Sequence, residues 1–218
     1  MKTRLIIGII SWLIAAYLGY DLMNLYPQEE LWGQRVLWFW LLIWGGFLNL
    51  ISLRKTSLPE ANKLLFASTC SGILLGAGFM PMPSFFLMFV AFVPLLWVEN
   101  IVANARKESS KWLIFKHAFN AFLIWNILST WWIQNSSFIA GMFGNTLNAI
   151  FMCIPFIFYH TTKKSMSQRA ANIGFVSYWM TFEIGHLYWD LSWPWLTLGN
   201  SFAHLPAIVQ WYEFTGVF

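Results

Sequence analysis

The chain of 218 residues is 58% hydrophobic, 20% aromatic and only 10% charged, and its formal net charge is +4. Soluble domains carry about 25% charged residues, so this composition excludes an ordinary water-soluble domain and predicts an integral membrane protein. The 13 Lys and Arg residues are spread thinly between apolar blocks, a distribution that gives no reason to expect nucleic acid as a partner. Both cysteines, Cys70 and Cys153, lie inside apolar runs, where we expect neither a disulfide nor a catalytic thiol.

Seven apolar stretches of membrane-spanning length follow one another along the chain. Each approaches the roughly 20 residues that a helix needs to cross the hydrocarbon layer, and a helix satisfies its own backbone hydrogen bonds in lipid. We therefore predict an all-α, polytopic bundle of transmembrane helices with about seven spans, at 5–25, 36–53, 64–80, 84–103, 112–133, 138–159 and 170–189.

The placement of the basic residues predicts a cytoplasmic N-terminus. Cytoplasmic loops of membrane proteins hold most of their Lys and Arg residues. With seven spans and the N-terminus inside, Arg35 alone falls on the outer side. The other 12 of the 13 basic residues fall on the cytoplasmic side: Lys2, Arg4, Arg54, Lys55, Lys63, Arg106, Lys107, Lys111, Lys116, Lys163, Lys164 and Arg169.

Small residues and prolines predict where these helices touch and turn. The glycines of the segment 72–78 recur on one helical face and predict the close approach of another helix. The short, proline-containing stretch 80–84 predicts a tight outer hairpin, and Pro155 predicts a kink in the sixth span. After the seventh span an aromatic outer segment runs to residue 218 without a polar tail, which we interpret as a truncation before a further helix.

Glu183 stands out as the one acidic residue deep within a predicted span. A charge there costs about 2.5–3.5 kcal/mol on insertion scales, and such a residue is a functional hypothesis by default. His186 follows at i+3, but a single Glu-x-x-His is weak evidence for a metal, so we favour a structural polar pair and expect no metal or cofactor. A small transporter or channel that uses Glu183 is the alternative function, and a non-enzymatic scaffold is a third.

Six tryptophans lie at or beyond the outer ends of the predicted spans. They are typical of an interfacial belt. A platform that holds a lipid or a lipid-modified partner is the second interpretation. The six are Trp131, Trp132, Trp189, Trp193, Trp195 and Trp211.

The stretch 183–200 resembles the bacterial apolipoprotein N-acyltransferase family, whose members share a Glu followed by Phe/Trp-Pro-Trp-Leu-x-x-Gly. The resemblance covers roughly 64–218, and His186 departs from it because many members carry an arginine there. It implies two domains: 1–60 as two additional N-terminal helices, and 61–218 as the family's transmembrane domain, cut before a nitrilase-like catalytic domain. The substrate- and lipid-binding candidates that it implies are Glu183, Trp193, Pro194, Trp195, Gly199 and Trp211.

The resemblance also implies a reaction. In this family a Glu-Lys-Cys triad takes an acyl chain from a phospholipid as a cysteine thioester and passes it to the N-terminal amine of a diacylglyceryl-modified apolipoprotein. We expect no catalytic residue of that triad in this chain, which would be inactive alone and would supply the scaffold and the lipid entrance. We also expect it in the bacterial inner membrane, with the segment 193–211 on the periplasmic side.

Overall fold

The computed structural model describes residues 2–25, 33–53, 60–79, 84–104 and 110–217. Every regular element within these ranges is helical, so the predicted all-α fold class is confirmed. Two predictions fall wholly or partly outside the described residues: the outer hairpin, of which only Ser84 is described, and four of the basic residues assigned to the cytoplasmic side, namely Arg54, Lys55, Arg106 and Lys107.

The described residues form nine α-helices and five short 3₁₀ turns. The helices are α1 (Lys2–Leu25), α2 (Arg35–Ile51), α3 (Ala61–Gly78), α4 (Met88–Ala91), α5 (Val93–Asn104), α6 (Ser110–Thr130), α7 (Phe138–Ser165), α8 (Gln168–Leu187) and α9 (Tyr212–Thr215). The 3₁₀ turns are Phe85–Leu87, Trp131–Asn135, Pro194–Leu196, Leu198–Phe202 and Pro206–Ile208.

Each predicted span coincides with helix, but the number of membrane crossings is a separate question. Among the described residues, three helical stretches are long and apolar enough to cross a membrane: Lys2–Leu25, Phe85–Asn104 and Phe138–Ser165. The helix α2 is apolar but shorter, and α3, α6 and α8 contain more polar residues. The count of seven spans therefore stays a prediction.

A proline interrupts the fourth predicted span. Pro94 has no N–H to donate to the carbonyl of Val90, and its ring crowds the preceding turn. The chain accordingly leaves α4 at Ala91 and enters α5 at Val93. The longer α7 continues through Pro155 as one helix.

The chain divides into two compact units, of which the first comprises Met1–Leu65 and Thr130–Phe143. Within it α1 packs on α2, and Arg35 forms an ion pair with Asp21 at 3.0 Å. The seven-residue spacing of the buried positions on α1 is the spacing of a supercoiled helix pair; these positions are Gly8, Ala15 and Leu22.

The second unit comprises Phe66–Ser129 and Gly144–Phe218, and it has an aromatic core. Trp125 is fully buried and stacks on Trp179, with ring centroids 6.2 Å apart. Further ring contacts join Trp179 to Phe92, Phe122 and Phe175.

Glycines let α6 approach α3 within this second unit. A Cβ added at Gly72 would lie 2.5 Å from the backbone oxygen of Ala121, and one at Gly76 would lie 2.6 Å from the side chain of Leu128. Neither position has room for a larger residue without movement. The prediction that this glycine-rich segment packs against another helix is confirmed.

Candidate functional site

Glu183 joins the end of α8 to the segment that follows it. The helix begins at an N-cap, Ser167, whose side chain accepts the backbone N–H of Ala170, and Glu183 lies buried near the other end. Its Oε1 accepts the indole N–H of Trp179 at 2.9 Å and the backbone N–H of Leu198 at 2.8 Å. The carboxyl group therefore holds the segment 193–199, which we call the motif loop, against α8.

His186 belongs to a chain of hydrogen bonds that crosses three helices. The side-chain amide of Asn126 on α6 donates to the carbonyl of Phe122, and its amide oxygen accepts an N–H from Asn148 on α7. Asn148 thus presents its own amide oxygen to Nε2 of His186 at 2.9 Å. This order makes Nε2 the protonated nitrogen, because an amide oxygen can only accept.

Glu183 and His186 therefore bond to different partners, although they lie one turn apart. Among the described residues, no group of three or more His, Cys, Asp and Glu side chains is placed to hold a metal ion. The expected structural polar pair is thus observed as two buried side chains that are hydrogen-bonded separately and not to each other.

Gly199 allows the end of the described chain to pack on the motif loop. A Cβ at Gly199 would lie 2.1 Å from the backbone oxygen of Val217. Tyr212 donates its hydroxyl proton to the carbonyl of Gly199 at 3.2 Å. Burial and the nearby carboxyl group of Glu183 raise the pKa of Tyr212.

The three candidate tryptophans occupy different environments. Trp193 packs against α7, where a Cβ on Gly144 would meet its ring at 2.4 Å. Trp195 is 45% exposed and meets Trp193 edge to face. Trp211 is 55% exposed and contacts Tyr212 in the same manner. Pro194 begins the 3₁₀ turn that carries Trp195 outward.

An apolar cleft of about 340 Å³ lies beside the motif loop. One side is formed by α4 and the turn before α5, and the other by the motif loop and the segment around α9. The residues that line it include Met88, Phe89, Phe92, Phe202, Trp211 and Tyr212.

A second buried acidic residue corrects the expectation that Glu183 alone lies deep in a span. Glu99 on α5 is 0% exposed. Its Oε1 lies 2.7 Å from Nδ1 of His160 and its Oε2 lies 2.6 Å from Nζ of Lys163, both on α7. The signal in the sequence is an acidic residue inside the predicted span 84–103, but its partners are more than 60 residues away along the chain.

A serine and a histidine also come together between α3 and α6. The Oγ of Ser68 lies 3.2 Å from Nδ1 of His117, and the same Oγ accepts an N–H from Asn120. Both members of the pair are buried. This geometry joins the two helices, and it gives a substrate no access to the hydroxyl.

The two cysteines, Cys70 and Cys153, lie on α3 and α7. Cys153 is buried and its thiol lies 3.2 Å from the carbonyl of Ala149 as a donor. Cys70 is partly buried on α3 and forms no disulfide.

Comparison with known protein families gives a match that includes every residue of the candidate site. The family model described as the apolipoprotein N-acyltransferase N-terminal domain matches residues 71–218. The chain belongs to the apolipoprotein N-acyltransferase family. The matched range contains all six candidate residues, from Glu183 to Trp211, and it extends far beyond the motif loop.

A curated relative shows how much of an apolipoprotein N-acyltransferase this chain represents. The apolipoprotein N-acyltransferase of Chlorobaculum tepidum is 28% identical over 158 residues, which is 72% of this chain and 29% of that protein. The chain therefore spans less than a third of the length of this relative. No solved structure matches the chain.

Proposed function

We propose that this chain is the membrane portion of an enzyme that transfers an acyl chain from a phospholipid to the N-terminal amine of diacylglyceryl-cysteine in lipoproteins. The transfer proceeds through a cysteine thioester on a nitrilase-like domain that is separate from residues 1–218. A thiolate intermediate divides one difficult acyl transfer into two easier ones. This chain supplies the scaffold and the lipid entrance and is inactive alone.

The observation that carries the proposal is the way in which the motif residues fold together. Glu183 holds the backbone of Leu198, and Gly199 makes room for Val217. These contacts give the motif loop a fixed backbone, from which Trp195 is presented at the surface. A fixed platform with an exposed aromatic ring suits the recognition of lipid at a membrane surface.

The proposed roles follow from these environments. Glu183, Pro194 and Gly199 position the loop, Trp193 anchors it to α7, and Trp195 and Trp211 contact lipid. An acyl chain of the phospholipid or of the apolipoprotein lies in the apolar cleft beside the loop, whose aromatic lining excludes water.

The proposed topology follows from the basic residues. Seven spans with a cytoplasmic N-terminus put the segment 193–211 on the periplasmic side of the bacterial inner membrane. Residues 1–60 are then two helices added to the family's transmembrane domain at 61–218. On this topology the motif loop and the cleft open at the leaflet that carries the lipoprotein.

Nothing in the described site favours the transporter alternative. The Oε1 of Glu183 is engaged by Trp179 and Leu198. Trp179 and the rings around it fill the core of the second unit. A transport role for Glu183 would require its carboxyl group to be within reach of the substrate or ion.

The test is acyl transfer by the full-length protein that contains this chain. The protein is reconstituted in phospholipid nanodiscs, and the conversion of a diacylated lipopeptide to the triacylated form is followed by mass spectrometry. Trp195→Ala and Trp211→Ala are expected to lower the rate at least tenfold. Trp97→Ala is the matched control, because Trp97 is 40% exposed and lies outside the motif.

Two results would contradict the proposal. One is a full rate in both motif variants, which would leave Trp195 and Trp211 as ordinary belt residues. The other is acyl transfer by the isolated chain of 218 residues, since that would require a nucleophile within it.

A further inference from the structure

A small, partly open cavity lies beside Glu183. Its volume is about 10 Å³, and four polar residues contribute to its wall: Glu183, His186, Trp193 and Thr197. A cavity of this size holds about one water molecule, and a buried water is stable when it has two to four polar partners. The hydrogen-bonding groups on the wall therefore determine what this cavity can hold.

The indole N–H of Trp193 is a hydrogen-bond donor for which the described residues supply no acceptor. Its indole Nε1 is buried and has no hydrogen-bond partner among the described residues. A buried N–H without a partner destabilises the folded state, and native proteins nearly always give such a group a protein or water acceptor. The six-membered part of the ring packs against Gly144 on α7.

Three residues that line the same cavity have hydrogen-bond acceptor capacity that their bonds in the described structure do not use. Both hydrogen bonds to Glu183 end on Oε1, which leaves Oε2. His186 uses Nε2 toward Asn148, so Nδ1 of the neutral ring is an acceptor. Thr197 donates its hydroxyl proton to the carbonyl of Pro194 and keeps its oxygen lone pairs.

We propose that this cavity is a binding site for one structural water. The water accepts the N–H of Trp193, donates one proton to Oε2 of Glu183, and donates the other to His186 or Thr197. A single water molecule can accept a hydrogen bond from the one donor and donate hydrogen bonds to two of the acceptors. The motif tryptophan and the motif glutamate are thereby joined, and this link is independent of whether the protein transfers acyl chains.

The direct test is water-edited solid-state NMR of the full-length protein in lipid bilayers, with ¹⁵N-labelled tryptophan. The indole signal that disappears in Trp193→Phe is the signal of interest. It is expected to receive magnetisation from water. The matched control is the signal lost in Trp125→Phe, because Nε1 of Trp125 is also buried without a partner among the described residues and Trp125 does not line this cavity.

A Trp193 signal that receives no more water magnetisation than that of Trp125 would overturn the proposal. A second measurement uses 3-benzothienylalanine, which has the shape of tryptophan and lacks the N–H. At position 193 it is expected to lower Tm, because a satisfied donor is lost. At position 125 the same replacement is expected to leave Tm unchanged or to raise it, because the N–H that is removed there has no partner among the described residues. A rise in Tm at position 193 would also refute the water bridge.

Discussion

At the scale of single residues, the motif is a set of positions that fix the backbone of the loop. The sequence singles out Glu183 because a carboxyl group inside a predicted span is costly. The structure adds its partners, the indole of Trp179 and the backbone of Leu198. The bond to Leu198 could not be predicted from the sequence, since a backbone donor carries no residue-specific signal.

Glu183→Ala is expected to destabilise the protein more than Glu183→Gln does. Alanine leaves two N–H donors without an acceptor, and each costs about 1–3 kcal/mol when buried. Glutamine retains a carbonyl oxygen that can accept both. Thermal unfolding in detergent, followed by tryptophan fluorescence, measures the difference. Equal losses of stability in the two variants would show that these hydrogen bonds contribute little.

Gly199→Ala is expected to displace the segment around Val217 and to lower stability by about 1–3 kcal/mol, as overpacking usually does. The added Cβ would meet a backbone oxygen, which cannot move as a flexible side chain could. Gly185→Ala is the matched control, because open space surrounds its Cβ position within α8 and alanine favours a helix. Unfolding of both variants under the same conditions gives the comparison. A similar Tm for the two would be inconsistent with a close approach at Gly199.

At the scale of elements, the helices are predictable and their pairings are not. The lengths of the apolar stretches locate all the long helices, and the glycines at 72 and 76 correctly indicate a close helix contact. The sequence does not reveal the pairing of α5 with α7 through Glu99, because Glu99 stands near the end of its predicted span, where a boundary residue is expected. The buried carboxylate of Glu99 is paired with Lys163. The sequence indicates for Lys163 only that it marks the cytoplasmic side.

Glu99→Ala is expected to cost about 3–5 kcal/mol, because it leaves the cation of Lys163 beside a buried site with no counter-ion. Glu60→Ala is the matched control, since Glu60 also pairs with a lysine, Lys63, but both partners are exposed. An exposed pair contributes about 1 kcal/mol or less. Unfolding midpoints of the two variants test the contrast. If Glu99→Ala were as mild as Glu60→Ala, the ion pair would not stabilise the contact of α5 with α7.

At the scale of the whole molecule, composition suffices for the membrane class, and one short motif suffices for the family. Charge placement predicts a topology, but hydropathy alone supports three crossings in the described chain. Part of the difference arises because α6 and α8 bury polar side chains, such as Asn126 and Glu183, against other helices, and part because α2 is apolar but shorter. Polar residues that are satisfied inside a bundle lower the mean hydropathy of a helix without exposing charge to lipid.

The topology is testable by labelling with a membrane-impermeant maleimide. Leu191→Cys and Met166→Cys are made in a background of Cys70→Ala and Cys153→Ala, and both positions are exposed in the structure. Intact spheroplasts are expected to label position 191 only, and position 166 should react after permeabilisation. Labelling of both positions from the same side would contradict the predicted crossing of the membrane by α8, the helix that separates them.

The ring contacts at the centre of the second unit have an electrical consequence. Phe122, Trp125 and Trp179 lie in mutual contact within the core, so these three rings leave no hydrated passage between them for ions. Any protein that resides in an energised membrane must not discharge the protonmotive force. Cells that express large amounts of this chain should therefore keep their membrane potential.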